Sequence, residues 1–108
     1  MDESQYIPKP EQPISEIYDE LYFELKDLTN LLRSEPELSS LADGLAVTMR
    51  INRDSAKNGE VHEKIAKVAK DNTEMIKNLK HSLSNDMEGV SAKLYEFSRE
   101  WEHARINS

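Results

Sequence analysis

Residues 61–101 read VHEKIAKVAKDNTEMIKNLKHSLSNDMEGVSAKLYEFSREW, and their apolar side chains recur at helical spacing. At about 100° per residue, these positions fall within a band about 100° wide. The sequence therefore predicts a helix with one long apolar face, which must be buried against the rest of the chain or against another chain. The positions of this apolar stripe are Val61, Ile65, Val68, Ile76, Leu79, Leu83, Met87, Val90, Leu94, Phe97 and Trp101.

The stripe crosses a segment, Ser84-Asn85-Asp86, that is also typical of a helix boundary. Asn85 lies three residues before Glu88, as in an N-terminal cap, and Gly89 weakens a helix interior. However, the apolar face keeps the same angle on both sides of the segment, which favours one continuous helix over residues 60–105. Its apolar positions repeat every eleven residues, a period typical of nearly straight packing.

The first half of the chain predicts two helices. Isoleucine and leucine recur at spacings of three and four after Pro13, which suits a first helical turn, and so predict a helix over residues 13–33. Ser34 and Glu37 have the spacing of a capping box with Pro36 between them, and so predict a second helix over residues 35–57. The pair Asn58-Gly59 then predicts a turn.

These elements predict an all-α fold. The chain has 108 residues, 37% of them hydrophobic, with three glycines and no strand-like alternation. We expect a long, coiled-coil-like antiparallel helical hairpin, with a first arm kinked near Pro36 and a second arm formed by one continuous helix. The alternative is a compact four-helix bundle. A single helical domain over residues 13–108 would follow a flexible tail over residues 1–12.

Charge is unevenly distributed along the chain. Residues 1–43 contain eleven acidic and three basic residues, whereas the remainder contains ten acidic and eleven basic residues. This acidic first half makes nucleic acid a poor partner, because phosphate binding depends on lysine and arginine, and it favours a helical or basic protein partner. Without a secretory signal or an apolar run of about 20 residues, we expect no membrane span and a soluble, intracellular protein, cytoplasmic by default.

No pattern in the sequence predicts catalysis. The three histidines, His62, His81 and His103, share no metal-ligand spacing, and there is no cysteine. The chain also lacks a glycine-rich phosphate loop and a nucleophile motif. We therefore expect no catalytic, cofactor, metal or small-molecule site.

Four large side chains widen the apolar arc of the first helix beyond one seam, and Phe23 points almost opposite Leu32 on a helical wheel. One partner helix cannot cover both faces. The first helix is therefore predicted to carry a second contact surface, although Phe23 could also be an isolated exposed aromatic. The residues of this predicted surface are Tyr18, Tyr22, Phe23 and Leu31.

Two further features of the stripe are candidate interaction elements. Asn72 interrupts the apolar positions, where an amide would fix register or partner choice if buried, or would be solvated at the edge of the stripe. Leu94, Phe97 and Trp101 form a bulky end, either for a partner or as a clasp near Ile14 and Ile17 of the first helix.

The sequence thus predicts a non-catalytic adaptor or small subunit that binds partner helices through apolar faces. The stripe could pair within the chain, with a second copy in a homo-oligomer, or with a different protein. The alternative function is a small acidic inhibitor or chaperone that occludes a basic site on a target protein, for example a nucleic-acid-binding site.

Overall fold

The computed structural model describes residues 13–107, which form four α-helices and, within that range, no strand. The prediction of an all-α fold is confirmed, in the form of the four-helix alternative. The predicted tail over residues 1–12 lies outside the described residues, as does Ser108. The helices are α1 (Ile14–Leu31), α2 (Pro36–Lys57), α3 (Glu63–Ser82) and α4 (Met87–Ile106).

The long continuous helix predicted over residues 60–105 is not formed. Helix α3 ends at Ser82, and its last carbonyl accepts hydrogen bonds from the backbone amides of Asn85 and Asp86, at 3.1 and 2.7 Å. The Asp86 carboxylate then accepts the Gly89 amide at 2.9 Å and caps α4. The apolar faces of α3 and α4 share one angle because both face the same core, so the shared angle did not require continuity.

The predicted first residue of this helix was also wrong. Helix α3 begins at Glu63 rather than at residue 60, and Val61 precedes it with about half of its surface exposed. The turn predicted at Asn58-Gly59 is confirmed: α2 ends at Lys57, and Gly59 has a φ of +86°. Such a backbone conformation favours glycine, because a Cβ would be strained there.

The first arm is two antiparallel helices, not one kinked helix. Asp19 of α1 pairs with Arg53 of α2, whereas Lys26, further along α1, pairs with the earlier Asp43. The two helices therefore run in opposite directions on either side of the turn after Leu31. Pro36 occupies the first position of α2, as predicted, but the predicted capping box is absent, because no side chain caps this helix end.

Two such helical hairpins lie side by side, with α1 against α3 and α2 against α4. Glu20 and Glu24 of α1 pair in ascending order with Lys77 and Lys80 of α3, so these two helices run parallel. The core between the hairpins consists of aliphatic and aromatic side chains, and no described charged or amide side chain is buried in it. Its fully buried large residues are Leu21, Leu25, Leu28, Leu32, Met49, Ile76, Val90, Leu94 and Phe97.

Gly44 lies in the interior of α2, on the exposed side of the helix. A Cβ at this position would meet no atom within 4 Å. Glycine in a helix interior is less stable than alanine because its unfolded backbone has more conformational freedom. We expect Gly44→Ala to raise the free energy of unfolding by about 0.5–1 kcal/mol, measured by urea denaturation. The matched variant Gly59→Ala should lower it instead, and a loss of stability from Gly44→Ala would contradict the open position of this site.

Candidate protein-interaction surface

The outer side of the α1–α2 hairpin carries an exposed aromatic side chain held by its neighbours. Phe23 is 63% exposed, and its ring meets the half-buried Tyr22 ring edge to face, with centroids 5.2 Å apart. The Arg50 guanidinium of α2 lies over the Tyr22 ring, 5.2 Å from its centroid, and its Nη1 donates to the Tyr22 hydroxyl at 3.3 Å. The Phe23 ring therefore contacts a tyrosine that is itself held by a cation–π contact and a hydrogen bond from α2.

Two aliphatic side chains of α2 extend this surface. Val47 is 49% exposed and Ile51 is 60% exposed, and they lie one turn apart on the side of α2 that faces away from the core. The contact between Tyr22 and Arg50 places Phe23 at the same level along the hairpin as these two residues. We call this surface the outer patch; it consists of Tyr22, Phe23, Val47, Arg50 and Ile51.

Most carboxylates of α1 are paired with bases from the rest of the chain. Asp19 lies 2.7 Å from the Arg53 guanidinium, and Glu20 lies 2.6 Å from Lys77 Nζ. The hydrogen bond and the charge of Glu20 raise the pKa of Lys77 above its ordinary value. Within α1, the carboxylates that follow Glu16 are thus offset by bases of α2 and α3.

Lys80 continues this line of ion pairs between α1 and α3. Its Nζ lies 2.8 Å from Glu24 and 3.6 Å from Asp27. The hydrogen bond to Glu24 raises the pKa of Lys80 above its ordinary value. The α1–α3 seam is therefore an internal contact with matched charges, and it is not available as an acidic docking surface.

Three charged residues around the outer patch have no ion pair among the described residues. Glu16 is exposed in the first turn of α1, and Lys57 is exposed in the last turn of α2. Arg50 contacts Tyr22 but no carboxylate within residues 13–107. Because the helices are antiparallel, Glu16 and Lys57 lie at the same end of the hairpin, one on each helix.

The structure separates seven of the eight predicted interaction residues into three groups. Tyr22 and Phe23 belong to the outer patch, whereas Leu31 is 54% exposed at the far end of α1. Tyr18 and Trp101 meet edge to face with centroids 6.2 Å apart, so the predicted clasp with the first helix forms at Tyr18, one turn beyond Ile14. The residues that are buried and pack within this chain's own core are Tyr18, Leu94, Phe97 and Trp101.

Asn72 lies half-buried between α3 and α4. Its Nδ2 donates to the Val68 carbonyl at 2.8 Å and to Glu100 Oε1 of α4 at 3.2 Å. The amide therefore bridges α3 and α4 at the edge of their contact, and it is neither fully buried nor fully solvated.

We expect Asn72→Leu to raise the free energy of unfolding by about 0.5 kcal/mol, because leucine favours the helix and buries apolar surface, at the expense of a long, partly exposed hydrogen bond. Urea denaturation of the variant measures this change, with Asn72→Ala as the matched control. A clear loss of stability in both variants would show that the Asn72–Glu100 bond stabilises the seam more than apolar burial can.

Three residues of the outer patch, Val47, Arg50 and Ile51, are not among those that the sequence predicted for interaction. A signal was present: Val47 and Ile51 lie one turn apart and point away from the apolar face that Ala42, Leu45 and Met49 form. Their relation to Phe23, however, depends on the pairing of α1 with α2, which periodicity within one helix does not contain.

The other features of the described surface give weaker support for a binding site than the outer patch does. An open groove between α2 and α4 is lined by short side chains, among them Ser40 and Ser98, together with Leu41, Trp101 and Arg105. Within residues 13–107 no group of three or more histidine or acidic side chains could hold a metal ion. None of the described helices is long and apolar enough to cross a membrane.

Comparisons of the chain with protein-family models, with curated proteins and with solved structures gave no match.

Proposed function

We propose that this chain is a non-catalytic interaction module, an adaptor or small subunit that binds a helical protein through the outer patch. The observation that supports this proposal most strongly is Phe23, a large aromatic side chain that is 63% exposed and packs against Tyr22, which Arg50 of α2 in turn contacts. Tyrosine and arginine are enriched among the residues that dominate binding energy. Isolated exposed apolar residues are ordinary, but a cluster drawn from two helices is typical of a contact surface.

A helical partner fits this surface better than an extended peptide. The outer patch lies on two antiparallel helices and has no exposed sheet edge to which a strand could add. Val47 and Ile51 are spaced one helical turn apart on α2, and Phe23 lies at their level on α1, a spacing that suits the side chains of a helix at positions i, i+3 and i+4. The partner would therefore bury Phe23 between its own turns.

The alternative function, an acidic inhibitor of a basic protein site, is supported by the net charge of −7. Against it, Asp19, Glu20 and Glu24 of α1 are already held by bases of α2 and α3. The two functions differ in salt dependence, because binding driven by charge weakens steeply from low to physiological salt, whereas apolar helix packing changes little. We expect the weaker dependence.

The test is photo-crosslinking in cells that express the full chain. A benzoylphenylalanine in place of Phe23 keeps an aromatic ring at the surface and should give a covalent adduct with a protein partner. The matched control places the same amino acid at Ile106, which is 70% exposed at the end of α4, away from the outer patch. Adducts at position 23 and not at 106 would support the proposal, whereas none at 23, or equal yields at both positions, would overturn it.

A further inference from the structure

We infer that the helical protein bound at the outer patch is a second copy of this chain, an inference that rests on the proposed function. The two copies would be related by a two-fold axis parallel to the helices. Helix α1 of one copy would then lie against α2 of the other. In this arrangement every contact occurs twice, because a two-fold interface uses the same surface on both chains.

The apolar residues of the outer patch are complementary to one another under this symmetry. A two-fold axis along the helices keeps the level of each residue and exchanges the two helices. Phe23 lies at the level of Val47 and Ile51, because Tyr22 contacts Arg50. Phe23 of each copy would therefore pack between Val47 and Ile51 of the other, and all three exposed apolar side chains would be covered.

The charges at the end of the hairpin are complementary under the same symmetry. Glu16 and Lys57 lie at the same end, on different helices, and neither has an ion pair among the described residues. The two-fold axis would bring Glu16 of one copy next to Lys57 of the other, twice per dimer. The carboxylates further along α1 are already satisfied internally, so they would not oppose this approach.

A different partner would have to supply its own aliphatic side chains for Phe23 and its own cation for Glu16. In a second copy, Val47 and Ile51 would supply the aliphatic contacts and Lys57 the cation. This self-complementarity of shape and charge is the argument for a second copy.

The first experiment is sedimentation equilibrium of the purified full chain over a wide concentration range. The wild type is expected to approach twice the 12.4 kDa mass of one chain. Phe23→Asp should raise the dissociation constant at least about 30-fold, as expected for a dominant contact residue, while Ile106→Asp leaves it unchanged.

Circular dichroism checks that the variants stay folded, and Ile51→Asp provides a second variant of the outer patch. A wild type that stays monomeric to about 100 µM, or a dimer that both patch variants leave intact, would overturn the inference.

The second experiment tests the symmetry by charge exchange. Lys57→Glu and Glu16→Lys should each weaken the dimer several-fold at low salt, because each places like charges together across the interface. The double variant restores opposite charges and should recover most of the wild-type affinity. A dimer that neither single variant weakens, or that the double variant fails to restore, would overturn this arrangement of the copies.

Different results would overturn the interaction module and the second copy. A purified chain that is monomeric, combined with a position-23 adduct to a different protein, would overturn the second copy and leave the interaction module standing. An adduct of twice the chain mass at position 23, with a dimer in sedimentation, would support both.

Discussion

Phe97→Ala is expected to lower the free energy of unfolding by about 3–5 kcal/mol, a large part of the total stability of a domain of this size. The Phe97 side chain is fully buried, and its ring packs against Trp101 with centroids 6.0 Å apart. Removing the ring loses its transfer free energy and leaves a cavity between the hairpins, which four packed helices cannot fill by a local shift.

Urea denaturation followed by circular dichroism measures this loss, and Phe23→Ala is the matched control. The same substitution at Phe23 should change stability by less than about 0.5 kcal/mol, provided that the chain is dilute enough to be monomeric. A small effect at Phe97 would mean that α4 does not complete the core. A large effect at Phe23 in the monomer would mean that its ring is covered within the chain.

The helical class and the turn at Asn58-Gly59 were predictable because their causes are local. Apolar spacing of three and four residues marks a helix wherever one side is buried, and Pro36 fits the first turn of α2. Pro13, which was predicted to lie in a first helical turn, instead precedes α1 as its N-cap residue, with a non-helical ψ of 145°. Gly59 adopts a backbone conformation that other residues disfavour, so the pair marks the turn without knowledge of the tertiary structure.

The break between α3 and α4 was not predictable from the angle of the apolar face. Leu79 and Val90 face the same core from two separate helices, so their common direction contains no information on whether the chain is continuous between them. The local signal at Gly89 was correct, but the cap is Asp86 rather than Asn85. At this position the local signal for a helix boundary predicted the structure better than the periodicity of the apolar face did.

The pairing of the charges was not predictable for a related reason. The acidic excess of residues 1–43 is visible in the sequence, but the bases that offset it on α1 lie far along the chain, at Arg53, Lys77 and Lys80. Which carboxylates stay unpaired depends on which helices are neighbours. The same holds for the outer patch, where Phe23 stood out in the sequence, but its neighbours on α2 became evident only from the contact between Tyr22 and Arg50.

The second large effect is expected at alkaline pH and depends on Tyr18. Its side chain is buried beside Trp101, and burial raises the pKa of the Tyr18 hydroxyl from 10.0 to about 12. Burial acts in this direction because the tyrosinate anion would lose its hydration in the core. In the unfolded chain the hydroxyl ionises near its ordinary value, so the folded and unfolded states bind different numbers of protons between these two pH values.

Stability from this group is fully present below about pH 10, and it is lost as the pH rises towards about 12, because only the unfolded state ionises freely in that window. The loss should reach about 2–3 kcal/mol. Tyr18→Phe removes the ionisable hydroxyl and should abolish this part of the decline, while the weakening of lysine ion pairs above pH 10 remains in both proteins. Urea denaturation of both at pH 8 and at pH values up to 12 separates the two contributions. Parallel declines in the wild type and Tyr18→Phe would show that Tyr18 ionises as readily in the fold as in the unfolded chain, and so that the contact between α1 and α4 is open to water.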